Sequence, residues 1–292
     1  MRPIGKLALI GFGEVGQILA ADLRRAGGMQ VVVWDPLLPT AGSGPARALE
    51  SLPVRGMPGL DTALQGAQLI ISAVTAGECV AAARDAAAGL QPGAWYFDLN
   101  SVSPQAKRTA AGLVEAAGAR FVEAAIMSPI APKRIASPML LGGPQATEFL
   151  PLAQQLGFQG ADVFDAQLGR ASAAKMCRSI MIKGMEALLT ESLLSARHHG
   201  VEQAVLDSLR DLFPQTDWNT LAPYMVSRSL LHGKRRAEEM REAAATAAQA
   251  GLTPWMSSAC AQRQEWAGRH AAALRHTQLP ALLDELLEVK NS

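Results

Sequence analysis

Residues 4–23 read Ile4-Gly5-Lys6-Leu7-Ala8-Leu9-Ile10-Gly11-Phe12-Gly13-Glu14-Val15-Gly16-Gln17-Ile18-Leu19-Ala20-Ala21-Asp22-Leu23. An apolar run meets three glycines at G-x-G-x-x-G spacing, and a helical pattern follows. Each glycine has a task at that spacing. Gly11 permits the tight turn out of the strand, and Gly13 puts no side chain between the backbone and a pyrophosphate. Gly16 lets the new helix pack closely on the strand. The start of the helix, at Glu14 and Val15, offers N–H groups and a positive dipole end to phosphates. A second strand, Gln30-Val31-Val32-Val33-Trp34, ends at Asp35, 19 residues past Gly16. A carboxylate at that place accepts hydrogen bonds from an adenosine ribose. Strand, glycines with Phe12 between them, helix, strand and acid together predict a dinucleotide site. The competing reading is a glycine-rich turn in some other α/β protein.

Composition sets the frame. The chain has 292 residues, enough for about two domains. Apolar residues make up 49 %, so a sizeable core is available. The net charge is +1 and no basic stripe alternates with aromatics, which argues against a nucleic-acid partner. Cys79, Cys177 and Cys260 stand apart, with no C-x-x-C or Cys/His pair. That pattern predicts no disulfide framework and no metal site, and it fits a reducing cytoplasm. The first residues faintly mimic a signal peptide, but the glycines and Glu14 interrupt the apolar run too early. No apolar stretch is long enough to span a membrane.

The first half alternates strand and helix patterns, which predicts an α/β Rossmann domain with a doubly wound, mostly parallel sheet. Strands are expected at 68–74, 95–98, 120–126 and 139–141, with a short edge strand near Leu52–Arg55. Helices are expected at 78–90, 104–117 and 144–156, and a Pro/Gly/Ser-rich loop at Pro36–Pro45. From about Leu168 strand signals vanish, and Ala, Leu, Met, Glu and Arg dominate. Breaks are expected at Gly200, Pro214, Pro223, Gly233, Gly251 and Pro280. The division is residues 1–165 as an NAD(P)-binding domain and 166–292 as an all-helical domain for substrate and dimerisation. Trp218, Trp255 and Trp266 are read as core or dimer-interface residues.

Four segments in order resemble the β-hydroxyacid dehydrogenase family, which includes 3-hydroxyisobutyrate and 6-phosphogluconate dehydrogenases. The first is Gly11–Gly16. The second, Asp98-Leu99-Asn100-Ser101-Val102-Ser103-Pro104, is similar to the D-x-S-T-x-x-P loop near the nicotinamide. The third, Phe121-Val122-Glu123-Ala124-Ala125-Ile126-Met127-Ser128-Pro129, stands in place of F-V-D-A-P-V-S-G-G. The fourth, Gly169-Arg170-Ala171-Ser172-Ala173-Ala174-Lys175-Met176-Cys177-Arg178-Ser179, stands in place of G-x-G-x-x-x-K-x-x-N-N. The nearest likeness is to a branch with an unusual helical C-terminal domain.

The resemblance implies a catalytic lysine, Lys175. Hydride transfer between a nicotinamide and an alcohol carbon needs a group that takes the hydroxyl proton and steadies the alkoxide. A partly desolvated lysine can do this, whereas from spacing alone a lysine is more often a surface residue. It further implies cofactor contacts at Val74, Thr75, Asn100 and Ser101, beside the glycine turn and Asp35. Substrate contacts are implied at Ser101, Met127, Ser128, Arg178 and Ser179, and a homodimer is expected. Two departures bear on the substrate. The family's paired asparagines are Arg178 and Ser179 here, and Pro129 has no N–H for a carboxylate-binding turn. Lys183 either extends the polar wall or pairs with Glu186 or Glu191. The run His232-Gly233-Lys234-Arg235-Arg236 reads as a solvated, basic helix start, and His198-His199 as a helix C-terminal pair. Asp35 favours NAD, with NADP possible, because a carboxylate repels a 2′-phosphate. The reading is an oxidoreductase acting on a hydroxy compound. Its alternatives are an imine reductase on the same fold and a non-catalytic NAD(H)-binding protein.

Overall fold

Strands and helices alternate through the first half of the computed structural model, which describes residues 4–211 and 213–289. In chain order these are β1 (Lys6–Ile10), α1 (Glu14–Ala26), β2 (Gln30–Trp34), α2 (Gly44–Ser51), β3 (Arg55–Gly56), α3 (Leu60–Leu64), β4 (Leu69–Ser72) and α4 (Cys79–Ala87). There follow β5 (Trp95–Asp98), α5 (Pro104–Ala116), β6 (Arg120–Ile126), α6 (Ile130–Lys133), β7 (Met139–Gly142), α7 (Ala146–Gln155) and β8 (Ala161–Asp165). The strands form one sheet in the order β3-β2-β1-β4-β5-β6-β7-β8. Pairing is parallel except between β6 and β7, which run antiparallel.

Successive residues of a strand face opposite sides of the sheet, and both sides are covered here. Leu7 and Leu9 of β1 pack with Leu19, Ala20 and Leu23 of α1 on one side. Ala8 and Ile10 pack with Cys79, Ala83 and Ala86 of α4 on the other. That is why the central strands read as unbroken apolar runs. The two helices leave neighbouring strands, β1 and β4, for opposite faces, which opens a crevice at the carboxyl ends of those strands. The edges of the sheet depart from this pattern. α2 begins inside the expected loop, with Ser43 as its cap and Pro45 in its first turn. β8 carries the half-exposed Val163 and Phe164 between two acids and lacks the apolar run of an inner strand.

The chain divides into two compact units, Met1–Met176 and Cys177–Ser292. The second is helical. α8 (Arg170–His198) enters it from the first, followed by α9 (Glu202–Ser208), α10 (Trp218–Gln249), α11 (Trp255–Arg269) and α12 (Leu279–Val289). Three expected breaks are helix interiors or starts. Pro223 lies in the second turn of α10, where it removes one backbone bond while Trp218, Ala222, Met225 and Val226 around it enter the core. Pro280 sits at the second position of α12, where an N–H has no helical partner to lose. Gly233 is a packing residue: a Cβ there would lie 2.3 Å from the Gln264 carbonyl oxygen of α11. No described helix is long and apolar enough to cross a membrane. Among the described residues, no cluster of His, Cys, Asp and Glu could hold a metal ion.

Candidate active site

The glycine turn is built as its spacing requires. Gly11 has φ +92°, and a Cβ there would lie 2.4 Å from the Ala73 carbonyl oxygen, so glycine alone fits. A Cβ at Gly16 would lie 2.1 Å from the Gly11 carbonyl oxygen, which fixes how closely α1 packs on the turn. A Cβ at Gly13 would meet nothing within 4 Å. Gly13 is also the N-cap of α1 and brings no side-chain cap of its own. The Asp35 carboxylate fastens the end of β2 to this turn: Oδ2 accepts from the Phe12 N–H at 2.8 Å and Oδ1 from the Leu37 N–H at 2.9 Å.

A buried polar network holds the other lip of the crevice. The Lys107 ammonium, from α5, donates to Asp98 Oδ1 at 2.5 Å, and both side chains are essentially inaccessible. Asp98 Oδ1 also accepts from the Asn100 N–H at 2.9 Å, and Cys79 Sγ lies 3.4 Å from Oδ2. Burial, with the Asp98 charge beside it, pushes the Cys79 thiol far above its ordinary range. The Asn100 side chain then joins two loops. Its Oδ1 accepts from the Val74 N–H at 2.7 Å, and its Nδ2 donates to the Ser72 hydroxyl at 2.9 Å.

Ser101 follows directly, and Lys175 comes to it. The Lys175 ammonium, half-buried near the start of α8, donates to the Ser101 hydroxyl at 2.5 Å. The Ser172 hydroxyl donates to the Val102 carbonyl, a second tie to the same loop. The fully buried Glu123 of β6 accepts from the N–H groups of Gly169 and Ala171 at 2.8 and 2.9 Å. Burial raises its carboxyl above the usual range, while Lys107 and those N–H groups pull the other way. Met127 and Ser128 follow β6; the Ser128 hydroxyl donates to the Pro129 carbonyl at 3.2 Å.

The second unit holds the remaining expected residues. Arg178 is exposed on α8. Ser179 is buried and accepts from the Lys183 ammonium at 3.3 Å. Lys183 pairs with Glu239 of α10, where the sequence pointed to Glu186 or Glu191. Those two acids pair instead with Arg236 and Arg263. Burial lowers both Lys183 and Arg236 from their ordinary ranges, with Glu239 opposing. The run His232–Arg236 lies mid-helix in α10, and Arg236 is buried, so it is not a solvated helix start. The close approach of α10 to α11 at Gly233 carries this stretch inward. Thus Asp35 joins the glycine turn, and Val74, Asn100, Ser101 and Lys175 form one connected set. Asp98, Lys107, Glu123 and Ser172 are participants the sequence reading left unassigned. A lysine on the apolar face of an Ala-rich helix, and an acid inside an apolar strand, were the available signals.

Residues 6–167 match the NAD-binding domain of 6-phosphogluconate dehydrogenase. The chain belongs to that family. Residues 196–267 match a domain of unknown function, DUF1932. A conserved hypothetical protein from Sinorhizobium meliloti 1021 is 33 % identical, with a TM-score of 0.71 and 97 % of each chain covered. A conserved protein of unknown function, whose structure reveals similarity with 3-hydroxyacid dehydrogenases, is 31 % identical over 90 % of this chain and 97 % of its own, TM-score 0.66. The fold alone is shared with Mycobacterium tuberculosis 3-hydroxyisobutyrate dehydrogenase, 20 % identical over 97 % and 99 % of the two chains, TM-score 0.68. It is shared in the same sense with a Streptomyces aurantiacus imine reductase, 18 % identical over 97 % and 99 %, TM-score 0.54. The residues present suit the family's dinucleotide. The open space over Gly13 and the backbone N–H groups that begin α1 suit a pyrophosphate, and the Asp35 carboxylate suits ribose hydroxyls.

Proposed function

We propose that this member of the family is an NAD-dependent dehydrogenase acting on a hydroxy compound of the 3-hydroxy-acid type, with Lys175 as general acid and base. When bound, the nicotinamide supplies the hydride acceptor and donor. As the neutral amine, Lys175 takes the substrate hydroxyl proton while the C–H bond gives up its hydride, becoming the ammonium, and the ammonium returns the proton in the reverse direction. Ser101 orients the ammonium and shares the alkoxide as it forms. The observation that carries this reading is the Lys175–Ser101 hydrogen bond, on the loop that Asn100 fastens to Val74.

Gly11, Phe12, Gly13, Glu14, Val15 and Gly16 hold the pyrophosphate, Asp35 the adenosine ribose, and Val74, Thr75 and Asn100 the crevice lip. NAD is the preferred form. Each Asp35 oxygen keeps lone-pair capacity beyond its one backbone N–H, and its charge repels a 2′-phosphate. Met127, Ser128, Arg178 and Ser179 are assigned to the substrate. Because Pro129 offers no N–H, an exposed Arg178 takes over the grip on a substrate anion. The helical unit pairs with a second copy. Met181 and Leu188 of α8, and Tyr224 and Leu231 of α10, are exposed apolar residues seven apart on one face of each helix, and Trp255 of α11 is 77 % exposed.

Hydride transfer to NAD from a panel of 3-hydroxy acids and simple alcohols, and from NADH to cyclic imines, tests the assignment. Turnover of a hydroxy acid supports it. Turnover of imines alone assigns the fold's reductase chemistry, and NADH binding without any turnover assigns a sensing role.

A further inference from the structure

Glu123 stands inside β6 among Phe121, Val122, Ala124 and Ala125, with no exposure to solvent. A buried carboxylate is costly unless hydrogen bonds compensate it. Its compensation comes from 46 and 48 residues further along. Oε2 accepts from Gly169 N–H at 2.8 Å and Oε1 from Ala171 N–H at 2.9 Å, with the Ser172 N–H adding to them. These are the first N–H groups of α8, so a side chain from the sheet caps the helix that carries Lys175. Room for the cap is made by Gly142, the register partner of Glu123 on β7. A Cβ at Gly142 would lie 2.3 Å from Glu123 Oε1. The Ser172 hydroxyl ties the same turn to the Val102 carbonyl, next to Ser101. The start of α8 is therefore held by the sheet from one side and by the Ser101 loop from the other.

We infer that Glu123, with the space left by Gly142, is a positioning residue that sets the first turn of α8 so that Lys175 meets Ser101. This rests on the reading of Lys175 as the proton-transfer group. Glu123→Gln keeps the volume but turns an amide NH2 toward one of the helix N–H groups. Gly142→Ala should displace the carboxylate from the other direction, and Glu123→Asp, one methylene shorter, should relieve that crowding.

The test uses the apo protein first. Lys175 acetylation by N-hydroxysuccinimide acetate is compared with the exposed Lys133 by mass spectrometry, alongside amide exchange over residues 169–172. In Glu123→Gln and in Gly142→Ala, Lys175 should be labelled at least about threefold faster relative to Lys133, and those amides should exchange at least about tenfold faster. With the best substrate of the panel, kcat should fall about tenfold or more while KM and NADH affinity stay within about twofold. The double variant Glu123→Asp/Gly142→Ala should recover most of what Gly142→Ala loses. A folded Glu123→Gln with labelling and kcat within about twofold of the parent overturns the inference. Should that variant not fold, a double variant no better than Gly142→Ala alone overturns it. The labelling arm needs no turnover, so failure of Lys175 as the catalytic group would show in the Lys175→Ala kinetics and leave this outcome separate.

Discussion

Lys175 and Ser101 lie 74 residues apart in the chain, and their side chains meet at 2.5 Å. The contact joins the start of α8 to the loop after β5. Asn100, the next residue back, fastens that loop to Val74 at the end of β4. Lys175 and Ser101 are thereby tied, through Asn100, to the segment that follows β4.

The glycines of the turn should separate by experiment into binding and packing roles. Gly13 has φ −79° and open space where a Cβ would go. Gly13→Ala should leave the urea midpoint nearly unchanged, within about 0.5 kcal/mol, and weaken NADH binding about tenfold or more. Gly16→Ala meets backbone and should destabilise the fold by about 1–3 kcal/mol. Equal stability of the two variants would contradict this.

Cofactor choice is expected to follow Asp35. Fluorescence titration should give tighter binding of NADH than NADPH. Asp35→Ala should shift that ratio toward NADPH by about tenfold, the order of one charged hydrogen bond. Equal or stronger NADPH binding by the parent protein would count against the assignment.

The pair Asp98–Lys107 is buried on both sides. Lys107→Met strands the Asp98 charge and should cost about 3–5 kcal/mol in chemical denaturation. A loss below about 1 kcal/mol would mean that water or the Asn100 and Cys79 contacts already satisfy the acid.

The helical unit should bring two copies together through its exposed apolar residues. Light scattering at micromolar concentration should report a dimer, and Leu231→Asp with Met181→Asp should yield a folded monomer. A monomeric parent protein would refute the assembly.

How much of this was legible in the sequence depended on how local the physics was. Each glycine in the turn acts within a few residues of itself, so Gly11, Gly13 and Gly16 could be read by spacing, and Asp35 by its place after β2. Lys175 is singled out by family resemblance alone, because spacing leaves a lysine on the surface; the structure adds its contact with Ser101. The role of Glu123 is not visible in the sequence: its partners are backbone N–H groups, which any sequence supplies, 46 residues or more away. Lys107 could have been found, since it shares a helix face with Ala110, Ala111 and Val114, all buried. Pro223 and Gly233 misled as breaks because tertiary packing, of the Trp218 cluster and of Gln264 against Gly233, outweighed local preference.

The most direct measurement is turnover of Lys175→Ala on the best hydroxy-acid substrate, with NADH affinity measured on the same sample. The account predicts unchanged cofactor binding and a kcat lower by about 10²–10⁴-fold, with no rescue by Lys175→Arg, since arginine stays protonated. A Lys175→Ala variant that keeps more than about a tenth of the parent kcat would contradict it and move the proton to another group.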